Sequence, residues 1–364
     1  MNFKNINAMH RTVLLNPGPV NITEKVRKAM TLPDICHREK EFSGLMSSIR
    51  SKLLQAFKIE EDFTSVLVSG SGTAALEMAV SSSLTPGRSM LIIENGVYGE
   101  RIGKICDIYN LHRHTIQLKW GVPPNLDDVE NILKKQSDIE VVSLVHHETT
   151  TGLLNPLKGI GELAKKYEKS FLVDCISSLA GDEVDFTLID IAVGTANKCL
   201  QGVPGVSFVF IRKKDLERLD KIPSRTLYFD LNGYHKAQEV GELLFTPAIP
   251  AHYALDVALD ELIEETVSGR INRYKKAANF LREGFKNLNM EFLIPEGWRS
   301  NCLTGLKLPK GISYEKLHKE LKSKGFVIYA GQGNLSNSIF RIANMGDIQP
   351  EEFQRFLKVL GSLH

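Results

Sequence analysis

Val66-Leu67-Val68-Ser69-Gly70-Ser71-Gly72-Thr73-Ala74-Ala75 reads as a strand, a turn of small residues and the start of a helix. Small side chains let backbone N–H groups approach an anion, the helix N-terminus adds partial positive charge, and Ser71 and Thr73 add hydroxyl donors. The bland alternative is a tight turn in which Ser or Thr caps the helix. At this point the anion is open. Gly70-x-Gly72-x-x-Ala75 also matches the dinucleotide fingerprint, and Glu94 ends the next apolar run near where a ribose-binding acid belongs, so an NAD-dependent dehydrogenase is one reading. A Walker loop is not, because Gly99…Gly103-Lys104 is followed by Ile105 and lacks the GxxxxGK[ST] spacing.

On either side of this stretch the pattern alternates. Short β-branched runs occur at Thr64–Val68, Met90–Ile93, Val141–Val145, Phe171–Val173, Ile189–Val193 and Val206–Ile211, with helical segments at Thr73–Ser83, Leu126–Gln136 and Leu157–Glu168. Continuous apolar strands separated by helices predict an α/β fold with a mostly parallel sheet covered on both faces and ligands at the carboxyl ends of its strands. After Pro247 the texture changes. Ala251–Leu288 reads as one long amphipathic helix. It is followed by strands at Glu291–Ile294, Leu303–Leu308, Phe326–Tyr329 and Ser338–Ile342, a helix over Tyr314–Lys324 and a closing helix from Pro350. The chain therefore divides into a large domain, 1–250, whose first 20 residues are free to pack on the smaller one, and a small α+β domain, 251–364.

Composition excludes several classes. The 364 residues are 43% apolar and 24% charged, and Lys+Arg 45 against Asp+Glu 43 leaves a net charge of +2 without a basic cluster, so a nucleic-acid role has little electrostatic support. Met1–Leu15 lacks the apolar core of a signal peptide, and no stretch approaches the length of a membrane span. Five scattered cysteines without a CxxC pair argue against a disulfide framework or a cysteine zinc site and fit a reducing cytoplasm. His146-His147-Glu148 is not HExxH, His112-x-His114 has no partner motif, and there is no GxSxG elbow; no metal is expected.

Two later strand ends separate the rival readings. Phe171-Leu172-Val173-Asp174 puts a carboxylate at the tip of a buried strand, where it needs a partner; a protonated pyridine nitrogen would be one. Taken alone, Asp174 is as readily a helix cap. Gly194-Thr195-Ala196-Asn197-Lys198-Cys199 then places a lysine in a small-residue turn between two core strands. Desolvation there lowers the amine's pKa and frees it as a nucleophile; an exposed loop lysine is the plainer alternative. Phosphate loop, strand-end acid and lysine, in that order, specify pyridoxal 5′-phosphate. Tyr98, in Asn95-Gly96-Val97-Tyr98-Gly99-Glu100, is a candidate to stack on its ring.

At these residues the sequence resembles the class V aminotransferases of fold type I. The resemblance runs through Leu14-Leu15-Asn16-Pro17-Gly18-Pro19, Gly70–Thr73, Asn95–Arg101, His147-Glu148-Thr149-Thr150-Thr151-Gly152-Leu153-Leu154-Asn155-Pro156, Ala196–Gly205, Phe245-Thr246-Pro247, Gly325–Tyr329 and Phe340-Arg341-Ile342. These stretches span almost the whole chain; the blocks at 148–152 and 196–205 are specific, whereas Gly-Ser-Gly-Thr alone is weak. The resemblance implies a seven-stranded, mostly parallel sheet, Lys198 as the Schiff-base lysine, Asp174 as the pyridine partner, Ser71, Gly72 and Thr73 at the phosphate, and Tyr98 on the ring. It also implies a hydroxyl of Thr149–Thr151, with Thr149 favoured, at the phenolic oxygen. Thr246 would reach the phosphate of a neighbouring subunit in a homodimer, and Arg341 would hold the substrate's acid group.

The implied reaction is ping-pong transfer between a small amino donor and a keto acid. The similarity is greatest to the branch that moves the amino group of 2-aminoethylphosphonate to pyruvate, giving phosphonoacetaldehyde and alanine. Cys36-His37-Arg38-Glu39-Lys40-Glu41-Phe42 is instead more similar to alanine–glyoxylate and serine–pyruvate relatives, which stand as the alternative. His37 and Arg38 are either extra anion donors or an ordinary polar turn. A protein of this fold that keeps the cofactor without turnover is the remaining alternative.

Overall fold

The computed structural model describes residues 11–363; the reading of Met1–Leu15 as lacking a signal peptide therefore lies mostly outside the described residues. A seven-stranded sheet organises the chain. Its order is Phe63–Gly70, Gly205–Arg212, Ile191–Thr195, Ser170–Asp174, Ile139–Val145, Ser89–Glu94 and His112–Gln117. Gly205–Arg212 runs antiparallel to both its neighbours, and the remaining pairs are parallel. The expected α/β architecture is what forms. The order also differs from the dinucleotide-binding arrangement, in which the sheet reverses at the first strand.

Side-chain alternation along the strands produces two cores. Leu67, Leu91, Ile93, Val142, Leu144, Phe208 and Phe210 face one side and pack against helices Lys40–Phe57, Leu126–Lys135, Leu157–Lys166 and Ile249–Glu265. Val66, Val68, Met90, Ile92, Val141, Val209 and Ile211 face the other, under helices Gly72–Ser82, Val97–Ile108 and Leu231–Glu239. Each large apolar side chain so buried contributes about 1.5–3 kcal/mol. A strand buried on both faces has no polar positions to spare, and this is why the runs read as continuous.

Three differences from the expected elements have simple causes. His112–Gln117 was not expected as a strand: its sequence is polar because it forms the sheet's edge, with only Ile116 buried. Ala251–Leu288 is not one helix but two, Ile249–Glu265 and Val267–Asn287. The chain breaks at Thr266, which has φ 67° and whose hydroxyl caps the second helix at the Gly269 amide, 3.1 Å. Glu291–Ile294 makes only a single bridge, Phe292 to Leu306.

A third core gathers Leu281, Phe285, Leu306, Leu317, Phe326, Phe340 and Phe356 around the three-stranded antiparallel sheet of Leu303–Lys307, Ile339–Ala343 and Tyr329–Ala330. Val13 and Leu15 join it, and Val13–Leu14 pairs in parallel with Phe326–Val327. This pairing brings the Pro17–Gly18 segment up to Lys198, as described next.

Candidate active site

The carboxyl ends of the six strands that run in one direction open on one edge of the sheet, and most of the sequence-selected residues collect there. Ser71 is the N-cap of helix Gly72–Ser82, which leaves the first amides of that helix aimed outward. Glycine is required on both sides of the cap. A Cβ on Gly70 would meet the Ala74 Cβ at 2.6 Å, and one on Gly72 would meet Ile176 Cδ1 at 2.8 Å. Thr73 Oγ1 accepts from Arg101 Nη1 at 2.8 Å, so a guanidinium stands beside the expected anion site.

Asp174 ends its strand and is 3% exposed. Its Oδ1 accepts from the Ile176 amide at 2.9 Å, and among the described residues no donor reaches the other oxygen. Burial pushes this carboxyl up to about 7, against the pull of the Ile176 hydrogen bond and of the cations Arg101 and Lys198. The carboxylate can accept a proton-bearing ring nitrogen.

Lys198 lies in the turn between Ile191–Thr195 and Gly205–Arg212, held by Gln201 N to Lys198 O at 2.9 Å and Gly202 N to Ala196 O at 2.8 Å. Burial lowers its amine to about 8, and Asp174, Arg341 and Arg101 all contribute to the field there. The amine donates to the carbonyl of Pro17. Gly18, at φ +102°, covers the side chain so closely that a Cβ there would lie 2.7 Å from Lys198 Cδ and 2.8 Å from Nζ. From behind, Arg270 Nη1 donates to the Cys199 carbonyl at 3.0 Å; Arg270 and Tyr274 help line a separate cavity of about 870 Å³.

Arg341 sits on Ile339–Ala343, 3% exposed. Its Nε donates to Ala330 O at 2.9 Å and its Nη1 to Thr149 O at 2.8 Å, and no carboxylate pairs with it among the described residues. Burial lowers its pKa. Thr149 Oγ1, one bond chain away from that carbonyl, is buried and without a hydrogen-bond partner. An unpartnered buried hydroxyl is costly, so it marks where a ligand oxygen fits. Tyr98, in the first turn of Val97–Ile108, is half-buried with the Arg101 guanidinium 4.6 Å from its ring centre.

Some expected residues stand apart. Thr246 is exposed and makes no side-chain hydrogen bond among the described residues. Arg38 is exposed and His37 half-buried with an unpartnered Nε2, and neither is bonded to the Lys198 pocket. Glu94, the acid of the dinucleotide reading, is bound to Arg113 Nη1 at 3.1 Å. Among the described residues no cluster of three or more metal-ligating side chains exists, and no helix is long and apolar enough to cross a membrane.

Sequence reasoning passed over three participants: Arg101, Glu148 and the Pro17–Gly18 cover. All three lie in stretches that carry the resemblance, Leu14–Pro19, Asn95–Arg101 and His147–Pro156, but no role was read for them there.

A fold with a strand-end acid, a desolvated lysine and a helix-borne anion site is that of the fold-type I aminotransferases. The Aminotransferase class-V family matches residues 24–345, and the chain belongs to that family of enzymes. The chain is 35% identical over 356 residues to the 2-aminoethylphosphonate–pyruvate transaminase of Bacteroides fragilis (strain YCH46), covering 96% of this chain and 98% of the relative. It is 37% identical over 341 residues to an uncharacterized aminotransferase of Methanocaldococcus jannaschii, covering 92% and 88%. The crystal structure of alanine–glyoxylate aminotransferase from Nostoc sp. superposes with a TM-score of 0.91 at 26% identity, covering 100% of this chain and 99% of that one. Family and neighbours together imply pyridoxal 5′-phosphate, and the orphaned Thr149 hydroxyl, the half-satisfied Asp174 and the lysine amine fit it.

Proposed function

We propose that this aminotransferase uses pyridoxal 5′-phosphate to move the amino group of 2-aminoethylphosphonate to pyruvate. The observation that carries the reading is the buried Arg341, a cation with no carboxylate, in the electrostatic field of Lys198. It suits a substrate whose acid group is brought in from solution. The relatives named for this reaction support the choice of donor.

Ser71, Gly72 and Thr73 would hold the phosphate, Asp174 the ring nitrogen, Thr149 the phenolic oxygen and Tyr98 the ring face, with Lys198 as the attachment point. When bound, the cofactor supplies an electron sink for the substrate carbon. Asp174 would keep a proton on that ring nitrogen. Lys198, with its amine lowered to about 8, would take the proton from the substrate carbon and pass it to the cofactor carbon that receives it. Arg341 orients the acid group by its planar fork, and its Thr149 and Ala330 bonds fix the plane of that fork. The Pro17–Gly18 segment keeps water off the amine.

Three organisational readings go with this proposal. Thr246 serves the phosphate of a second copy in a homodimer, which is supported by its exposure in the single chain. The setting is cytoplasmic, supported by the buried thiols of Cys199 and Cys302, which lie 3.5 Å apart without a bond. The chain divides into 1–250 and 251–364; helix Ile249–Glu265, whose buried face belongs to the core of the large sheet, is the span that tests where the boundary falls.

An amino-donor screen tests the substrate. 2-Aminoethylphosphonate, alanine and serine are offered with pyruvate or glyoxylate as acceptor. Turnover with the phosphonate and pyruvate is expected; turnover with alanine and glyoxylate, and none with the phosphonate, would select the alternative.

A further inference from the structure

Glu148 is fully buried and no lysine or arginine pairs with it among the described residues. Every hydrogen bond its carboxylate makes goes to an element of the candidate site. Its Oε2 accepts from the amides of Tyr98 and Gly99 at 3.1 and 3.2 Å, in the first turn of Val97–Ile108. Its Oε1 accepts from the Thr150 amide at 3.1 Å and the Thr150 hydroxyl at 2.6 Å. That hydroxyl in turn accepts from the Val97 amide at 3.0 Å. The approach is built from both sides, since a Cβ on Gly96 would overlap the Glu148 carboxyl.

A clamp of this kind could be made from neutral groups. A buried carboxylate is the costly choice: burial pushes the Glu148 carboxyl up, and the helix N-terminus with the donors from Thr150, Gly99 and Tyr98 pulls it back toward the charged form. The charge has further addressees. Arg341, bonded to the Thr149 carbonyl next in sequence, has no counter-ion of its own, and Glu148 acts on it and on Asp174 through space.

We propose that Glu148 is a positioning residue of the transamination site: its carboxylate locks the turn carrying Tyr98 to the loop carrying Thr149, and its negative charge steadies the Arg341 guanidinium. The inference rests on the functional reading above. Asp174, Arg341 and Arg101 act through space on Lys198, and Glu148, Arg101 and Lys198 act on Asp174. Removing a negative charge from that surrounding releases protons more easily, so titration midpoints there move down.

The test uses the holoenzyme and Glu148→Gln, which keeps the shape and drops the charge. Two readouts are taken: the pyridoxal 5′-phosphate concentration for half-saturation, and the pH midpoint of the bound cofactor's visible band. The expected results are a rise of tenfold or more in the first and a fall of about one pH unit in the second. A variant that melts earlier but leaves either readout at the wild-type value overturns the proposal, because a purely structural clamp lowers only the melting temperature. If Glu148→Gln does not fold, Thr150→Val and Thr150→Ser decide. Serine keeps the hydroxyl donor and should hold wild-type half-saturation, whereas valine should raise it severalfold; equal values for the two overturn the proposal. A wild-type protein that takes up no cofactor sinks the underlying functional reading, whereas normal uptake with an indistinguishable Gln variant sinks only the role of Glu148.

Discussion

Arg341 Nη1 donates to the Thr149 carbonyl at 2.8 Å, and the hydroxyl of that same threonine is buried with nothing to bond. One residue thus orients the cation on one side through its backbone and presents a free oxygen through its side chain. The hydrogen bond holds the guanidinium in place, whereas the unpaired hydroxyl costs the chain by itself and suits a bound ligand oxygen.

Arg341→Lys keeps the charge and loses the fork. We expect kcat/KM to fall roughly 10²-fold, about 3 kcal/mol, because a planar two-point contact becomes a point charge. Arg341→Met should lower it further while leaving the melting temperature of the cofactor-free protein unchanged or higher, since a buried cation without a carboxylate is destabilising. Steady-state kinetics and a thermal melt check the pair.

Thr149→Val removes a hydroxyl that has no partner in the chain. The cofactor-free variant should be as stable as the parent or up to about 1 kcal/mol more so, and cofactor affinity should drop by roughly tenfold. Opposite directions in the two measurements, denaturant melts and cofactor titration, are the signature.

Lys198→Met should abolish turnover and the visible band of the bound cofactor. It also carries a pH prediction for the cofactor-free protein. The folded amine sits near 8 against 10.5 unfolded, so folding is opposed in full below pH 8, where both states are protonated but only the folded one buries the charge. That opposition fades as pH rises from 8 to 10.5. The methionine variant should therefore be more stable than wild type at pH 7, by about 2–3 kcal/mol, with the gap closing toward pH 10.5. Melts across that range that stay parallel would refute the burial of this amine.

Asp174→Asn runs the other way in pH. A carboxyl raised to about 7 costs stability wherever the unfolded state ionises more readily than the folded one, so the cost is absent below about pH 4, grows between 4 and 7 and is complete above 7. The asparagine variant should gain on wild type across that window and lose at least 10²-fold in kcat, since an amide cannot keep the ring nitrogen protonated.

Gly18→Ala places a methyl against Lys198 Cδ and Nζ at a backbone φ of +102°. The flexible lysine gives way before the backbone does. We expect a loss of activity of tenfold or more with unfolding free energy lowered only by the about 1–2 kcal/mol that a left-handed alanine costs.

The sheet was legible because its strands are buried on both faces: Met90–Ile93 and Val206–Ile211 had no polar positions with which to mimic a helix. His112–Gln117 was not, because an edge strand's polarity looks like loop. The break at Thr266 escaped notice for a related reason. Amphipathic periodicity continues through Ala251–Leu288, and a single positive φ leaves no trace in it. Within the site, Asp174 and Lys198 were visible because a charged residue at the end of a buried run is out of place there.

The amino-acid sequence by itself determined the layered α/β fold, the anion-binding turn after Val68, and the acid and amine at strand ends, since burial and residue chemistry act over a few neighbouring positions. Only the tertiary structure decided that Glu148 fastens onto the Tyr98 turn, that Arg341 leans on Thr149, and that Pro17 and Gly18 close over Lys198. Those partners lie 50, 192 and 181 residues apart, and nothing local in a chain specifies which distant group will arrive to share a buried charge.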